Sequence, residues 1–195
     1  MDKVNKMNLP NKISLFRILA TPVFLFFLVP GWFGQFLGLA QWGRYAAAAI
    51  FVIAAITDMV DGKIARKYNQ ISELGKFLDP IADKLLVTAA LVALIMTDGL
   101  SVWVVFIILA REFIVTGFRI VAVGQGVVIA ADKWGKIKTV LQIVAIVAIL
   151  IRDFPVSLIV DIPIGMPLMY VAMVMTIISG FNYVAKNIKV LTSSR

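Results

Sequence analysis

The sequence predicts an all-α integral membrane protein, a bundle of six transmembrane helices with a short N-terminal juxtamembrane helix. Three observations carry this. Of 195 residues, 61% are hydrophobic and only 15% are charged, whereas a soluble domain is about half apolar and a quarter charged. The apolar excess falls into six runs, at about 13–30, 44–66, 74–97, 100–123, 136–152 and 162–185, each near the roughly 17 to 25 residues that cross a bilayer. The connections are short, with no internal repeat and no polar stretch large enough for a second domain, so residues 1–195 read as one membrane domain.

The first run has a basic start and an apolar stretch from Ile18 to Val29. Pro30, Gly31, Trp32 and Phe33 follow it in place of a small-x-small cleavage site, so it is expected to stay as an anchor. Before it, Met7 to Lys12 mixes apolar residues with Lys, which suits the headgroup plane, and Pro10 and Asn11 suit a helix start. The second and third runs carry aspartates near the ends that face each other across a short loop. The fourth contains Arg111, Glu112 and Arg119, and the fifth opens with Lys136 and Lys138.

Orientation follows from the cations. The ends and loops on one side carry Lys3, Lys6, Lys12, Arg17, Lys63, Arg66, Lys67, Lys76, Arg119, Lys133, Lys136, Lys138, Lys186, Lys189 and Arg195, and the other side only Arg44 and Arg152. The positive-inside rule then places both termini and the basic loops in the cytoplasm. Trp32, Trp42 and Trp103 fall at outer ends of spans and Trp134 at an inner end, the depth at which amphipathic rings settle.

The chain has no Cys and no His, which excludes disulfides, thiolate nucleophiles and soft-ligand metal sites. A metal must be held by oxygen, and a general base is a carboxylate before it is Lys or Tyr. The formal charge of +8 points in a membrane chain to anionic lipid or phosphate substrates rather than to nucleic acid.

Asp58, Asp61, Asp79 and Asp83 lie where a lipid-embedded helix tolerates no uncompensated charge. Asp58 and Asp61 are three residues apart and Asp79 and Asp83 four, so each pair occupies one helix face. A short loop makes the two helices antiparallel neighbours, and four converging carboxylates are balanced by two divalent ions. The residues alone leave other readings open: helix caps and ion pairs with Lys63, Arg66, Lys76 and Lys84, or a cation pathway. A pathway calls for acids at several depths, and these cluster at one side. Gly62 and Gly75 permit close approach of a ligand or a helix, and Arg66 either clamps a phosphate or snorkels.

Taken together, Asp58-x2-Asp61-Gly62-x2-Ala65-Arg66-x8-Gly75-x3-Asp79-x3-Asp83 resembles the signature of the CDP-alcohol phosphatidyltransferases, eight fixed residues over 26 positions. The resemblance implies an integral membrane homodimer that binds a CDP-linked lipid and a divalent metal, Mg²⁺ or Mn²⁺ and two ions, transfers a phosphatidyl group to an alcohol and releases CMP. It implies metal ligation by Asp58, Asp61, Asp79 and Asp83, with Asp83 also taking the proton of the attacking hydroxyl. Asp61, Gly62, Ala65, Arg66 and Gly75 would contact CDP-diacylglycerol. Further segments are Asn8-Leu9-Pro10-Asn11 with Arg17-Ile18, Arg111-Glu112-Phe113 with Thr116-Gly117 and Arg119, and Ala130-Ala131 with Gly135-Lys136 and Lys138-Thr139. They resemble the bacterial branch of the family that uses sn-glycerol 3-phosphate and makes phosphatidylglycerol phosphate at the plasma membrane.

The charges agree with an anionic acceptor. Arg111, Arg119, Lys136 and Lys138 supply cations for its phosphate, although Glu112 paired with Arg111 or Lys84 would make part of this cluster structural. The rivals are a phosphatidyltransferase for serine or inositol phosphate and, in a different class, a small cation transporter. The transporter would need an outer exit, for which Asp98, Asp153 and Asp161 are the acids at hand.

Overall fold

Once apolar length has specified a helix, lipid leaves its backbone no alternative, because every N–H and C=O must be satisfied within the segment. The computed structural model describes residues 9–29, 40–68, 73–125, 127, 133–154 and 163–192, and among these it contains six α-helices and no strand. They are α1 (Leu9–Leu28), α2 (Ala40–Tyr68), α3 (Glu73–Asp98), α4 (Val102–Gly124), α5 (Lys133–Leu150) and α6 (Gly165–Thr192). The side chains of 9–10, 40–41, 58–68, 73–80, 83, 133 and 189–192 are outside the description, as are Met7, Asn8, Trp32, Ala130 and Ala131 altogether.

Each predicted run has become one helix. Leu9 to Lys12 form the first turn of α1 and not a separate juxtamembrane helix. The physical reason is Pro10, whose missing N–H would have had no acceptor in a first turn anyway, so the span continues through it. Among the described residues, Asn11–Leu28 and Gly165–Ile188 are long and apolar enough to cross a membrane. The other helices are interrupted by charge: α4 by Arg111, Glu112 and Arg119, α5 by three lysines in its first six residues, and α2 and α3 by the aspartates.

The chain divides into two compact units, Met1–Asp98 and Gly99–Arg195. In the first, α1 packs against both α2 and α3. Phe24 of α1 and Phe51 of α2 are fully buried with ring centroids 5.9 Å apart, and Ala47, Ala54, Ala82 and Ala90 allow close helix approach. In the second, α6 packs against α4 and α5 around Ile108, Ile146, Leu150 and Met169. Gly99, the first residue of the second unit, has φ at +68°, a left-handed conformation that a side chain would disfavour.

Large apolar side chains are exposed on the outside as well as buried in the core, and some polar ones are buried. Phe16, Ile53, Met96, Phe113, Val140 and Phe181, one from each helix, are exposed, whereas Asn11, Ser14, Arg17, Thr21, Lys138, Gln142, Thr176 and Ser179 are buried. Exposed apolar residues on every helix are more than a water-facing surface carries and suit lipid or another apolar partner. Trp42 and Trp103, near helix starts, are exposed as interfacial rings are.

At the far end of the α2–α3 hairpin from the aspartates, Arg44 forms an ion pair with Asp98, whose second oxygen accepts a hydrogen bond from Thr97 Oγ1 at 2.6 Å. Both side chains are mostly buried, and removing one charge strands the other. Asp98→Ala should therefore cost about 1–3 kcal/mol, read as a lower melting temperature in detergent. Catalysis should remain near wild type, since Asp98 lies fifteen residues, or about 22 Å of helix, beyond Asp83. After α5 the chain turns through Arg152 and Asp153, both at positive φ. Asp153 Oδ1 accepts the Gly165 N–H at 2.7 Å, placing a carboxylate at the start of α6, where the helix dipole favours it.

Candidate active site

The aspartates fall on the two helices expected. Asp58 and Asp61 lie in the last third of α2, Asp79 and Asp83 in the first half of α3, and only residues 69–72 separate the helices. Spacings of three and four residues on continuous helix are about one turn. Gly62, Ala65 and Arg66 follow on α2, and Gly75 lies in the first turn of α3. Their side-chain geometry lies outside the described residues. The donor set itself fits a hard divalent cation: four carboxylates, in a chain without thiol or imidazole.

Both aspartate helices pack on α1, which contributes a buried polar stripe of Asn11, Ser14, Arg17 and Thr21, none more than 4% exposed. Thr21 Oγ1 donates to the Arg17 carbonyl at 3.0 Å. The 3-3-4 spacing sets these residues on one face of α1, which forms a third wall for the aspartate helices.

In the second unit, Arg111 leaves α4 and lies along α6. A Cβ at Gly180 would come within 2.8 Å of Arg111 Cγ, and one at Gly135 of α5 within 3.8 Å of Nη2. Gly180 thus makes the room for this side chain, and Gly135 lies at ordinary contact distance from its tip. Nη2 donates to Ser179 Oγ at 2.7 Å, and Nη1 meets Glu112 Oε1 at 3.3 Å. The same Glu112 oxygen is ion-paired with Lys138 of α5, itself 4% exposed. Glu112 thus holds Arg111, one of the two pairings the structural alternative named, and Lys138, where that alternative had Lys84. Arg119, two turns further along α4, donates from Nε to Tyr183 Oη at 3.3 Å and stacks its guanidinium over the ring at 5.6 Å. Phe118 meets the same ring edge-on.

Of the four cations expected for an acceptor phosphate, the structure joins Arg111 and Lys138 and sets Arg119 on its own tyrosine. Lys136 is exposed, and two residues from Lys138 it occupies a different face of α5. Sequence reasoning missed Ser179, Gly180 and Tyr183. Their signal was a polar stripe, Thr176, Ser179 and Tyr183 at spacings of three and four, in the apolar last helix.

The mostly buried Arg111–Glu112–Lys138 cluster with its hydroxyl partner Ser179, and the four aspartates on other helices, suit phosphate chemistry, and the comparisons agree. The CDP-alcohol phosphatidyltransferase family model matches residues 7–178, and the chain belongs to that family and is an enzyme of its class. It is 43% identical to the CDP-diacylglycerol--glycerol-3-phosphate 3-phosphatidyltransferase of Bacillus subtilis (strain 168), over 96% of this chain and 98% of that one. It is 39% identical to the probable phosphatidylglycerophosphate synthase of Mycobacterium tuberculosis (strain H37Rv), over 93% of this chain and 82% of the relative. A CDP-diacylglycerol--glycerol-3-phosphate 3-phosphatidyltransferase of Rickettsia felis is 35% identical over 90% and 93%.

Proposed function

We propose that the chain transfers the phosphatidyl group of CDP-diacylglycerol to sn-glycerol 3-phosphate, giving phosphatidylglycerol phosphate and CMP in phospholipid synthesis. The observation that carries this is similarity over nearly the whole length to transferases named for that donor and acceptor. The cations gathered in the second unit support it. A phosphate-bearing acceptor calls for fixed positive charge, whereas serine brings no phosphate to hold.

In this reading Asp58, Asp61, Asp79 and Asp83 hold divalent metal, Mg²⁺ or Mn²⁺ as two ions. When bound, the metal neutralises the diphosphate and stabilises charge on the departing CMP. Asp61, Gly62, Ala65, Arg66 and Gly75 receive CDP-diacylglycerol, the small residues admitting the diphosphate and Arg66 giving it a bidentate partner. Asp83 takes the proton of the glycerol 1-hydroxyl as that oxygen attacks the lipid-side phosphorus, and the bond to CMP breaks. Arg111 and Lys138, joined through Glu112, hold the acceptor's phosphate, and Arg119 and Lys136, at exposed positions, add positive charge around it.

Six membrane spans, both termini and the active site cytoplasmic, and the plasma membrane of a bacterium complete the proposal. The exposed apolar residues on all six helices and the one-sided distribution of Lys and Arg support it. The family match crosses both compact units, in keeping with one domain over 1–195, and the homodimer rests on the family resemblance. Of the acids that the transporter reading needs for an outer exit, Asp98 is ion-paired with Arg44 and Asp153 serves the start of α6, which counts against it, and Asp161 lies outside the described residues.

The test is acceptor kinetics on the purified protein. Arg111→Gln and Lys138→Met should each raise the glycerol 3-phosphate KM by about thirty- to a hundredfold, the equivalent of about 2–3 kcal/mol for a charged contact in a partly dry site. Arg119→Gln and Lys136→Gln, at exposed positions, should cost about tenfold or less. The CDP-diacylglycerol KM should hold throughout. Wild-type acceptor kinetics in all four variants would leave the cluster a signal of topology only.

A further inference from the structure

Adjacent residues on a helix point about 100° apart, so Arg111 and Glu112 do not meet by default. They meet here because Arg111 is laid onto α6 by Gly180 and Ser179, while Glu112 reaches across to Lys138 of α5. One carboxylate oxygen then joins cations from two helices, and a third helix fixes the back of the guanidinium. We propose that Glu112 is a positioning residue for the acceptor site, setting Arg111 and Lys138 as one preformed pair for the acceptor's phosphate. The inference rests on the reading of those two cations as phosphate ligands.

Two cations this close repel strongly in a medium of low dielectric, and a buried ammonium such as Lys138 needs a counter-charge merely to stay in place. Glu112 supplies it in the absence of substrate. Its side chain keeps 26% of its surface exposed, against 5% for Lys138 and 13% for Arg111. The pair is therefore approached from the carboxylate's side, while Arg111 Nε, buried without a hydrogen-bond partner among the described residues, lies towards Gly180 of α6. An arriving dianion finds both cations held, and the ordering cost is met before binding.

Steady-state kinetics of Glu112→Gln test this. The acceptor KM should rise about tenfold, with the CDP-diacylglycerol KM unchanged, and Glu112→Asp should restore it to within about threefold of wild type. In a Lys138→Met background, Glu112→Gln should add clearly less than its tenfold effect, because only the hold on Arg111 is left to lose. A folded Glu112→Gln enzyme with wild-type acceptor KM overturns the proposal, as does full additivity with Lys138→Met. If the glutamine variant does not fold, Glu112→Met, uncharged and of similar length, decides: an acceptor KM raised about tenfold with an unchanged donor KM supports positioning, and a wild-type acceptor KM overturns it. Should Arg111→Gln and Lys138→Met themselves leave acceptor KM unchanged, the phosphate-site reading fails. If only those two raise it, the positioning role alone fails.

Discussion

Asp58→Ala, Asp61→Ala and Asp79→Ala should each reduce CMP release by about 10²–10³-fold or more, with the helices intact. The expected size follows from what a metal-held diphosphate loses when its charge is no longer neutralised in a site of low dielectric. The chain has no His or Cys to substitute for a missing carboxylate, so the remaining aspartates should bind Mg²⁺ more weakly. Raising Mg²⁺ should recover part of the rate. Chelation of the wild-type enzyme should abolish turnover, and Mg²⁺ or Mn²⁺ should restore it. The measurement is CMP release against metal concentration, with circular dichroism as the check on folding. Normal turnover by Asp58→Ala, or undiminished wild-type turnover in excess chelator, would remove the metal from the aspartates.

Asp83→Asn isolates the proton from the metal. The amide keeps the shape of the side chain and one ligating oxygen but does not accept a proton at neutral pH, so kcat should fall by about 10² or more while CDP-diacylglycerol still binds. Donor binding by equilibrium titration, beside single-turnover rates, separates the two roles. A near-normal rate excludes Asp83 as the base, and lost donor binding with lost rate makes it chiefly a metal ligand.

Helix number and order were legible because lipid turns apolar length into structure. Ends were less so, because hydropathy stops at the first charges whereas backbone hydrogen bonding does not. Thus α6 runs to Thr192 through Lys186 and Lys189, past the apolar run that ends near 185, and α1 starts at Leu9 with Pro10 inside it. The aspartate motif was legible from spacing and charge. The cradle of Arg111 was not, since Ser179 lies 68 residues away in sequence and Gly180 reads as ordinary packing until a side chain is found lying on it. Averaged hydropathy also hid the stripes of α1 and α6, whose polar residues recur every three or four positions among apolar neighbours.

The most direct measurement follows isotopically labelled sn-glycerol 3-phosphate into lipid. Purified protein in detergent, given CDP-diacylglycerol and Mg²⁺, should move label into the organic phase in equal amount to the CMP released. Serine or inositol phosphate in its place should give neither product nor CMP above background. CMP release with no label in lipid, or faster release with either of the other acceptors, would contradict the assignment.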